Sequence, residues 1–295
     1  MKIPNFPIFD AHMHFTTAYL DKALLSYKDC GVLAGINLSY PNIIGEQYEE
    51  FLKICRKKKL FKKFAQFYWP DWRVFGSRPE YYVKRLVKDM RRFAKLGASG
   101  MKVWKDLGMY NFHANGIPAV MDDKRLEPVW NTAAELSWII SVHQADPSTG
   151  YLGGYKNNSK TGITREEVFE RRDRVVAKHP EITFILCHNG NYTEDYNKLT
   201  ALFVRFPNVH ADLCGFTKSK DKKYPGNRME FLERFSNRLY LGQDLSLPQN
   251  KPPDRPWNRD ESYVPLKKDL LSYGLSIETF EKITWKNGVN NILNR

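Results

Sequence analysis

Histidines and an aspartate follow the ends of several short apolar runs in the sequence. His12 and His14 lie in IFDAHMHF, His143 in WIISVHQA, His188 in TFILCHNG and Asp244 in RLYLGQDLS. Side chains two positions apart in a strand point to the same side, so His12 and His14 are expected to share one site. Imidazoles and a carboxylate that converge suit a divalent cation such as Zn²⁺ and leave room for a water molecule. We therefore predict a metal centre built from these five residues.

A hydrolytic mechanism follows from such a centre. A bound divalent cation lowers the pKa of its water toward ~7. Asp244, at the end of its strand, would take the proton of that water during attack and return it to the leaving group. His188 would either bind a second metal or polarise the substrate carbonyl, and the sequence leaves both roles open.

Three further polar residues lie close to this set in the sequence. Asp10 precedes His12 by two residues, so it would either orient an imidazole or form a buried structural carboxylate. Asp146 and Asn189 are weaker candidates for the same supporting role. Structural places are expected for the other histidines, which are His113, His179 and His210.

The elements that must position these residues are short strands alternating with helices. Apolar runs alternate with longer segments of helical periodicity, which is typical of a parallel sheet with crossover helices. The runs begin at Ile8, Leu33, Phe61, Ala98, Trp138, Thr183, Asn208 and Arg238. Eight such units predict one (β/α)₈ TIM barrel domain over residues 1–295. Such barrels keep their active sites at the carboxyl ends of the strands, where the five residues lie.

Helical periodicity is clearest over residues 79–97 and 164–179. In the first segment an apolar face is followed by Gly97, which suits a helix end. In the second, Thr164 is placed to cap the helix and Pro180 to end it. Further helices are predicted over residues 125–137, 194–206 and 277–293.

With these motifs in place, the sequence resembles the amidohydrolase superfamily, in its amidohydrolase-related (amidohydrolase 2) branch. The resemblance covers nearly the whole chain, and it rests on FDAHMHF, MKVWKDLG, SVHQADP, FILCHNGNYTED, YLGQDLS and ITWKNGVNNIL. It implies a distorted (β/α)₈ barrel that binds one or two divalent metals. The residues that match the family's ligands are His12, His14, His143, His188 and Asp244. In the family that aspartate both binds metal and moves a proton.

Lys102 decides the expected number of metals. A lysine between Met101 and Val103 in a barrel strand is unusual, because burial of an ammonium is costly unless it is paired or discharged. In binuclear family members a fourth-strand lysine is carboxylated and bridges two metals, and GMKVW resembles that context. Single-metal members also carry a lysine near here. The alternatives are an uncarboxylated Lys102 that contacts substrate or a carboxylate, and a structural lysine.

Residues after the third and fourth strands are candidates for substrate contact. They are Lys105, and Trp69 and Trp72 in FYWPDW, which would stack on a ring or a sugar face; core packing is the alternative for the two tryptophans. Two long loops, 108–124 and 146–162, lie on the same side of the barrel. The second is expected to be either a mobile lid or a disordered insertion.

The net charge of +13 raises the question of a nucleic-acid partner. The densest basic stretch, residues 55–64, is expected at the amino-terminal side of the barrel, and no nucleic-acid-binding motif accompanies it. Solvated surface is the favoured interpretation. The lysines of residues 218–223, together with Lys251 and Arg255, lie in loops on the active-site side and favour a small, anionic substrate.

Composition limits the remaining classes of protein. No run reaches the ~18 apolar residues of a membrane helix, and four cysteines without a paired motif argue against a disulfide framework. We expect a cytoplasmic enzyme without nucleic-acid or membrane partners, and a homodimer is compatible with the sequence.

The resulting prediction is a metal-dependent hydrolase that cleaves a lactone, ester or amide by metal-activated water. Zn²⁺ is the favoured ion, with Mn²⁺ and Fe²⁺ as alternatives. A decarboxylase or hydratase of the same branch is the nearest rival, and a non-catalytic binding barrel is the rival from another class. The substrate itself is not encoded in a recognisable motif.

Overall fold

A computed structural model describes residues 4–18, 20–147, 156, 158–192, 195–214, 227–246 and 263–295. Across these ranges parallel strands form one sheet in the order β8-β7-β6-β5-β4-β3-β2-β1-β9. The strands are β1 Ile8–His14, β2 Val32–Asn37, β3 Phe64–Tyr68, β4 Ala98–Val103, β5 Ile139–Val142, β6 Phe184–Leu186, β7 Val209–Asp212, β8 Leu239–Tyr240 and β9 Leu245–Ser246. From β1 to β8 each strand neighbours the next in sequence, and β9 pairs with β1, which confirms the predicted (β/α)₈ barrel.

The eighth strand of the barrel is split into β8 and β9. Across the gap, the backbone N–H of Ala11 donates to Leu241 O at 2.8 Å, and that of Asp244 donates to His12 O at 2.9 Å. β9 then pairs in parallel with β1, where Met13 lies opposite Leu245. The interrupted strand therefore closes the sheet onto β1 and brings the backbone of Asp244 beside His12.

Helices pack around the strands, and those predicted over 79–97, 125–137, 164–179 and 194–206 are confirmed within two residues at each end, whereas the one predicted over 277–293 is α-helical only to Glu281. Gly97 takes a φ of 107° after α4, and the Thr164 hydroxyl accepts from the Glu167 N–H at 3.1 Å at the start of α6. The helices are α1 Leu20–Asp29, α2 Glu46–Lys57, α3 Arg73–Ser77, α4 Pro79–Leu96, α5 Glu127–Glu135, α6 Arg165–Lys178, α7 Tyr196–Arg205, α8 Arg228–Arg234, α9 Val264–Ser272 and α10 Ile277–Glu281. Two wider helical turns, Lys282–Lys286 and Val289–Leu293, continue α10.

The core has two parts. The larger part lies between strands and helices, and the apolar face of α4 contributes to it as predicted. A smaller cluster takes alternate residues from successive strands and fills the barrel interior, as in other barrels. Its members include Phe9, Ile36, Phe67, Ile139, Ile185 and Tyr240. His210 packs there as predicted, with its ring stacked on Tyr240 and Nδ1 2.7 Å from the tyrosine hydroxyl.

Several predicted features fall partly or wholly outside the described residues. The loop 108–124 is described, and it contains a bridge between Phe112 and Pro118. Residues 148–155 and 157 of the second long loop lie outside, as do the basic positions at 218–223, Lys251 and Arg255. Within the described ranges, none of the helices combines the length and apolarity that a bilayer crossing requires.

The C-terminal segment approaches β1 closely at Gly288. A Cβ atom at this position would lie 2.0 Å from Cγ of Phe9, a ring of the inner cluster. Only a residue without a side chain allows this approach, so Gly288 fixes how the segment packs against the barrel.

We expect Gly288→Ala to destabilise the fold by about 3 kcal/mol, because the added methyl group overpacks the inner core. Gly116→Ala is the matched control, since a Cβ there meets no atom within 4 Å and its φ of 78° adds only backbone strain of about 1 kcal/mol. The free energy of unfolding, measured by urea denaturation, checks both values. Equal losses in the two variants would contradict the packing argument.

Candidate metal centre

The two histidines of β1 present the same ring nitrogen to one carboxylate. His14 Nδ1 donates to the carbonyl of Ser39 at 2.8 Å, and His12 Nδ1 donates to Asp212 Oδ2 at 2.9 Å. Because each ring uses Nδ1 as a donor, each neutral ring has its lone pair on Nε2. These Nε2 atoms lie 3.2 Å (His14) and 3.5 Å (His12) from Asp244 Oδ1.

Asp212 is a site residue that the sequence analysis missed. Its carboxylate is fully buried, and besides His12 it accepts from the backbone N–H of His188 at 2.8 Å and of Cys214 at 3.1 Å. The available signal was its position at the end of the seventh apolar run, at the same depth as the other site residues.

The carboxylate of Asp10 does not contact an imidazole, so it does not have the orienting role considered for it. Its carboxylate accepts from the backbone N–H of His12 at 2.8 Å and from the Tyr263 hydroxyl at 2.5 Å, with the Gln243 N–H at 3.3 Å. Of the two alternatives, the structure favours the buried structural carboxylate. Burial raises the pKa of Asp10 to about 7, against the hydrogen bond from Tyr263.

The histidines that follow β5 and β6 complete the ring of imidazoles. The ring centroids of His143 and His188 lie 4.6 Å apart, and those of His188 and His12 lie 4.9 Å apart. The hydrogen bond that holds His188 within the described part of the chain is made by its backbone N–H, which donates to Asp212 at 2.8 Å. The structure thus brings together all five residues that the sequence placed at strand ends.

Left-handed backbone conformations gather around this ring. His188 and Asn189 each have a φ of 55°, Asp244 has 57° and Ala145 has 61°. Non-glycine residues adopt this region only when surrounding contacts hold them there, and such strain concentrates at functional sites. The side-chain amide of Asn189 is buried without a hydrogen-bond partner among the described residues, so it supports no imidazole there.

Burial makes most of these imidazoles neutral. It lowers the pKa of His14 and His188, and together with the charge of Lys102 it brings the pKa of His143 to about 4. Neutral rings keep a lone pair available, which is the form that binds a metal.

His12 and Asp244 are held in their charged forms instead. For His12, burial and Lys102 act to lower the pKa, but the carboxylates of Asp244 and Asp212 outweigh them and raise it. For Asp244, burial acts to raise the pKa, but the charge of His12 and the contact with His14 hold it well below its ordinary range.

The donor set fits a divalent cation. When His12 and His14 are neutral, two nitrogen lone pairs and a carboxylate oxygen face one another, and they repel unless a proton or a cation lies between them. Ligand atoms of His12, His14 and Asp244 all lie within 4.8 Å of one another, as do those of His12, His188, Asp212 and Cys214. Nitrogen, carboxylate and thiolate ligands of this kind favour Zn²⁺ and its first-row neighbours.

Lys102 is buried among these residues, and its amine contacts a thiol rather than a carboxylate. Nζ lies 2.8 Å from Sγ of Cys187, and the Ser141 hydroxyl lies 3.2 Å from the same sulfur. A thiol was not among the partners predicted from the sequence for this lysine.

The candidate substrate residues separate into two groups. Trp69 lies at the mouth with its ring 5.7 Å from that of His14. Lys105 is close by, but its Nζ pairs with Asp146 at 2.9 Å, and Asp146 also lies 3.3 Å from His143 Nε2. Asp146 therefore takes the supporting position that Asn189 does not.

Trp72 is not brought to the site. Its side chain is fully buried, its indole N–H donates to Lys102 O at 2.9 Å, and its ring stacks on Trp130. It therefore packs in the core, which was the alternative for this residue.

Comparisons with known proteins concern the family and the fold. The amidohydrolase family model matches residues 9–288. An uncharacterized TIM-barrel protein from Bordetella bronchiseptica is similar, with a TM-score of 0.63 at 14% identity, over 98% of this chain and 100% of that one. No curated protein matches the sequence.

Two enzymes of known structure share the fold. A dihydroxybenzoic acid decarboxylase from a Polaromonas species, with bound manganese and the inhibitor 2-nitroresorcinol, has a TM-score of 0.58 at 17% identity, over 98% of both chains. A dihydroorotase from Campylobacter jejuni has a TM-score of 0.56 at 13% identity, over 97% of this chain and 82% of that one. At these identities the likeness concerns the fold.

We expect Asp212→Asn to weaken metal binding by about 10- to 100-fold. The amide would donate to His12 Nδ1, so the ring hydrogen would move to Nε2, the atom that faces Asp244. Chelator competition with Zn²⁺ measures the affinity. Asp123→Asn is the matched control, because it removes a half-buried carboxylate 3.0 Å from His113, another Asp–His contact. Unchanged affinity in Asp212→Asn would contradict this role.

The pH dependence of metal uptake should change in the same variant. In the wild type, the raised pKa of His12 means that a cation must displace a proton, so affinity increases with pH through the neutral range. Asp212→Asn removes one of the carboxylates that raise this pKa, so its affinity should level off at a lower pH. Zn²⁺ titrations between pH 5.5 and pH 8.5 check the shift, and parallel curves in both proteins would contradict it.

Proposed function

The chain belongs to the amidohydrolase family, and we propose that it is a metal-dependent hydrolase that cleaves a lactone, ester or amide. The observation that carries this proposal is the position of Asp244. Its side chain is 41% exposed at the mouth, whereas those of His12 and His14 beside it are 2% and 5% exposed. An ionised carboxylate that reaches solvent from a buried imidazole cluster is suited to accept a proton from an attacking water molecule.

We propose that His12, His14 and Asp244 hold the cation, with His143 and His188 completing the site. Zn²⁺ is the ion that this donor set favours, and Mn²⁺ and Fe²⁺ are compatible with it. When bound, the cation supplies Lewis acidity and a lowered pKa for water. The proposal gives His188 a ligating role, because burial lowers the pKa of its ring and its ligand atom lies within 4.8 Å of those of His12, Asp212 and Cys214.

Asp244 then moves the proton. Its carboxylate stays ionised at neutral pH, accepts the proton as the carbonyl carbon is attacked, and returns it to the leaving oxygen or nitrogen. The hydrogen bond from its own N–H to His12 O fixes the backbone beneath the carboxylate. This leaves the side chain to reach the mouth without displacing β1.

The proposed substrate is a small molecule bound against Trp69. The ring of this tryptophan packs against His14 and Trp104, each with centroids 5.7 Å away, and with 8% of the residue exposed a planar substrate would contact the small part that faces the mouth. An anionic group is favoured by the overall positive charge, while Lys105 is already paired with Asp146.

A decarboxylase or a hydratase is the second candidate. The observation that favours it is the fold that this chain shares with the Polaromonas decarboxylase. The same barrel and mouth would accommodate either reaction. Labelled water separates the reactions, because hydrolysis places solvent oxygen in the new carboxyl group, hydration places it in an alcohol, and decarboxylation releases CO₂ without incorporation.

We expect purified, Zn²⁺-loaded protein to hydrolyse members of a panel of lactones, esters and amides in ¹⁸O water. Asp244→Asn should lower kcat by about 10²- to 10⁴-fold, because the general base is lost. Asp29→Asn, at an exposed helix end, is the control. Metal content is measured on each variant, so that loss of the cation is distinguished from loss of the base. Wild-type turnover in Asp244→Asn, or CO₂ release without label, would contradict the hydrolase proposal.

A further inference from the structure

We propose that Lys102 and Cys187 form a reversible covalent bridge, Nζ–O–Sγ, when the protein meets dioxygen. The two atoms lie 2.8 Å apart, the side chains are 1% and 0% exposed, and they come from β4 and from the residue after β6. A single oxygen atom inserted between nitrogen and sulfur would join them with little movement of either strand. This modification does not depend on the proposed hydrolase activity.

The surroundings of the amine make this contact unusual. Cys187 Sγ is the hydrogen-bond partner that the structure gives Nζ among the described residues, and the ring of Trp69 lies 6.0 Å away. A thiol is a weak acceptor, so it compensates poorly for burial of an amine. The pair is therefore held in contact by the packing of the barrel rather than by a strong interaction.

Adjacent strands fix the geometry of the pair. Lys102 lies opposite Ser141 in the β4–β5 register, and the N–H of Cys187 donates to Val142 O at 2.8 Å. The Ser141 hydroxyl contacts the sulfur from the strand between them, at 3.2 Å. Both side chains are buried, and the strands on either side hold the two reactive atoms close together.

The bridge forms by an oxidation in which dioxygen is the oxidant. One N–O bond and one O–S bond form, and the O–O bond of dioxygen, two N–H bonds and the S–H bond break. One oxygen atom is retained in the bridge and the other leaves as water. The ammonium and the thiol together lose three hydrogens, of which two go to water and one leaves as a proton. A thiol reductant reverses the bridge, as it does other reversible cysteine oxidations.

Bridge formation would change the electrostatic environment of the proposed metal centre. The charge of Lys102 acts on both His12 and His143, so its loss alters the field at the imidazoles. The bridge would also tie β4 to the segment that carries His188. Oxidation would thus act on the site through a residue that need not touch the substrate.

Mass spectrometry of the purified full chain tests the proposal. Protein incubated in air-saturated buffer should be heavier by one oxygen and lighter by two hydrogens than protein kept under nitrogen. Protease digestion should yield one cross-linked species that joins the peptides containing Lys102 and Cys187. Dithiothreitol should restore the original mass.

Variants assign the bridge to this pair. Cys187→Ser and Lys102→Arg should each abolish the cross-linked species, and circular dichroism checks that both are folded. Cys214→Ser is the matched control, because it removes another buried cysteine at the same end of the barrel and should leave the bridge intact.

Three results would overturn the proposal. They are an unchanged mass after incubation in air, oxidation of Cys187 that persists in Lys102→Arg, and a loss of two hydrogens without added oxygen, which would indicate a disulfide with another cysteine. Because the wild-type protein provides the main measurement, a variant that fails to fold does not prevent the test.

Discussion

The buried carboxylate of Asp212 is the contact on which the rest of the site depends. It receives hydrogen bonds from His12 Nδ1 and from the backbone N–H groups of His188 and Cys214, so one side chain joins β1, the turn after β6 and β7. A charge with no exposure to solvent is tolerated only when such donors surround it. These donors hold the pKa of Asp212 well below its ordinary value although burial acts to raise it. The carboxylate in turn sets which nitrogen of His12 faces the mouth.

Asp10 is a second buried carboxylate that joins separate segments of the chain around β1. It binds the backbone of His12, the N–H of Gln243 in the split eighth strand, and the hydroxyl of Tyr263. The position of Asp244 therefore depends on contacts to two strands and on the start of α9. The pairing of β1 with β2 changes register between Asp10 and Met13, in the stretch that contains these contacts.

The sequence was informative where the cause of structure is local. Strand alternation placed His12 and His14 on one side, and the spacing of eight apolar runs predicted the barrel and the depth of His143, His188 and Asp244. Contacts across the barrel were not predictable in this way. The partner of His12 is 200 residues away and that of Lys102 is 85 residues away, so each depends on strand register and closure. The location of Trp72 in the core was unpredictable for the same reason, because it depends on the stacking of its ring on Trp130, which lies elsewhere in the sequence.

Burial explains why one carboxylate of this cluster is suited to chemistry and the others to support. Asp10 and Asp212 are fully buried, and their oxygens accept hydrogen bonds from donors at fixed positions. Neither carboxylate is therefore exposed to a substrate or to solvent with which it would exchange a proton. Asp244 contacts the same imidazoles but opens to solvent, and its left-handed backbone turns it toward the mouth. The neutral rings beneath it supply lone pairs because they are buried. Exposure to solvent thus distinguishes Asp244, the proposed base, from the buried imidazoles beside it, and the strand ends already bring these residues together.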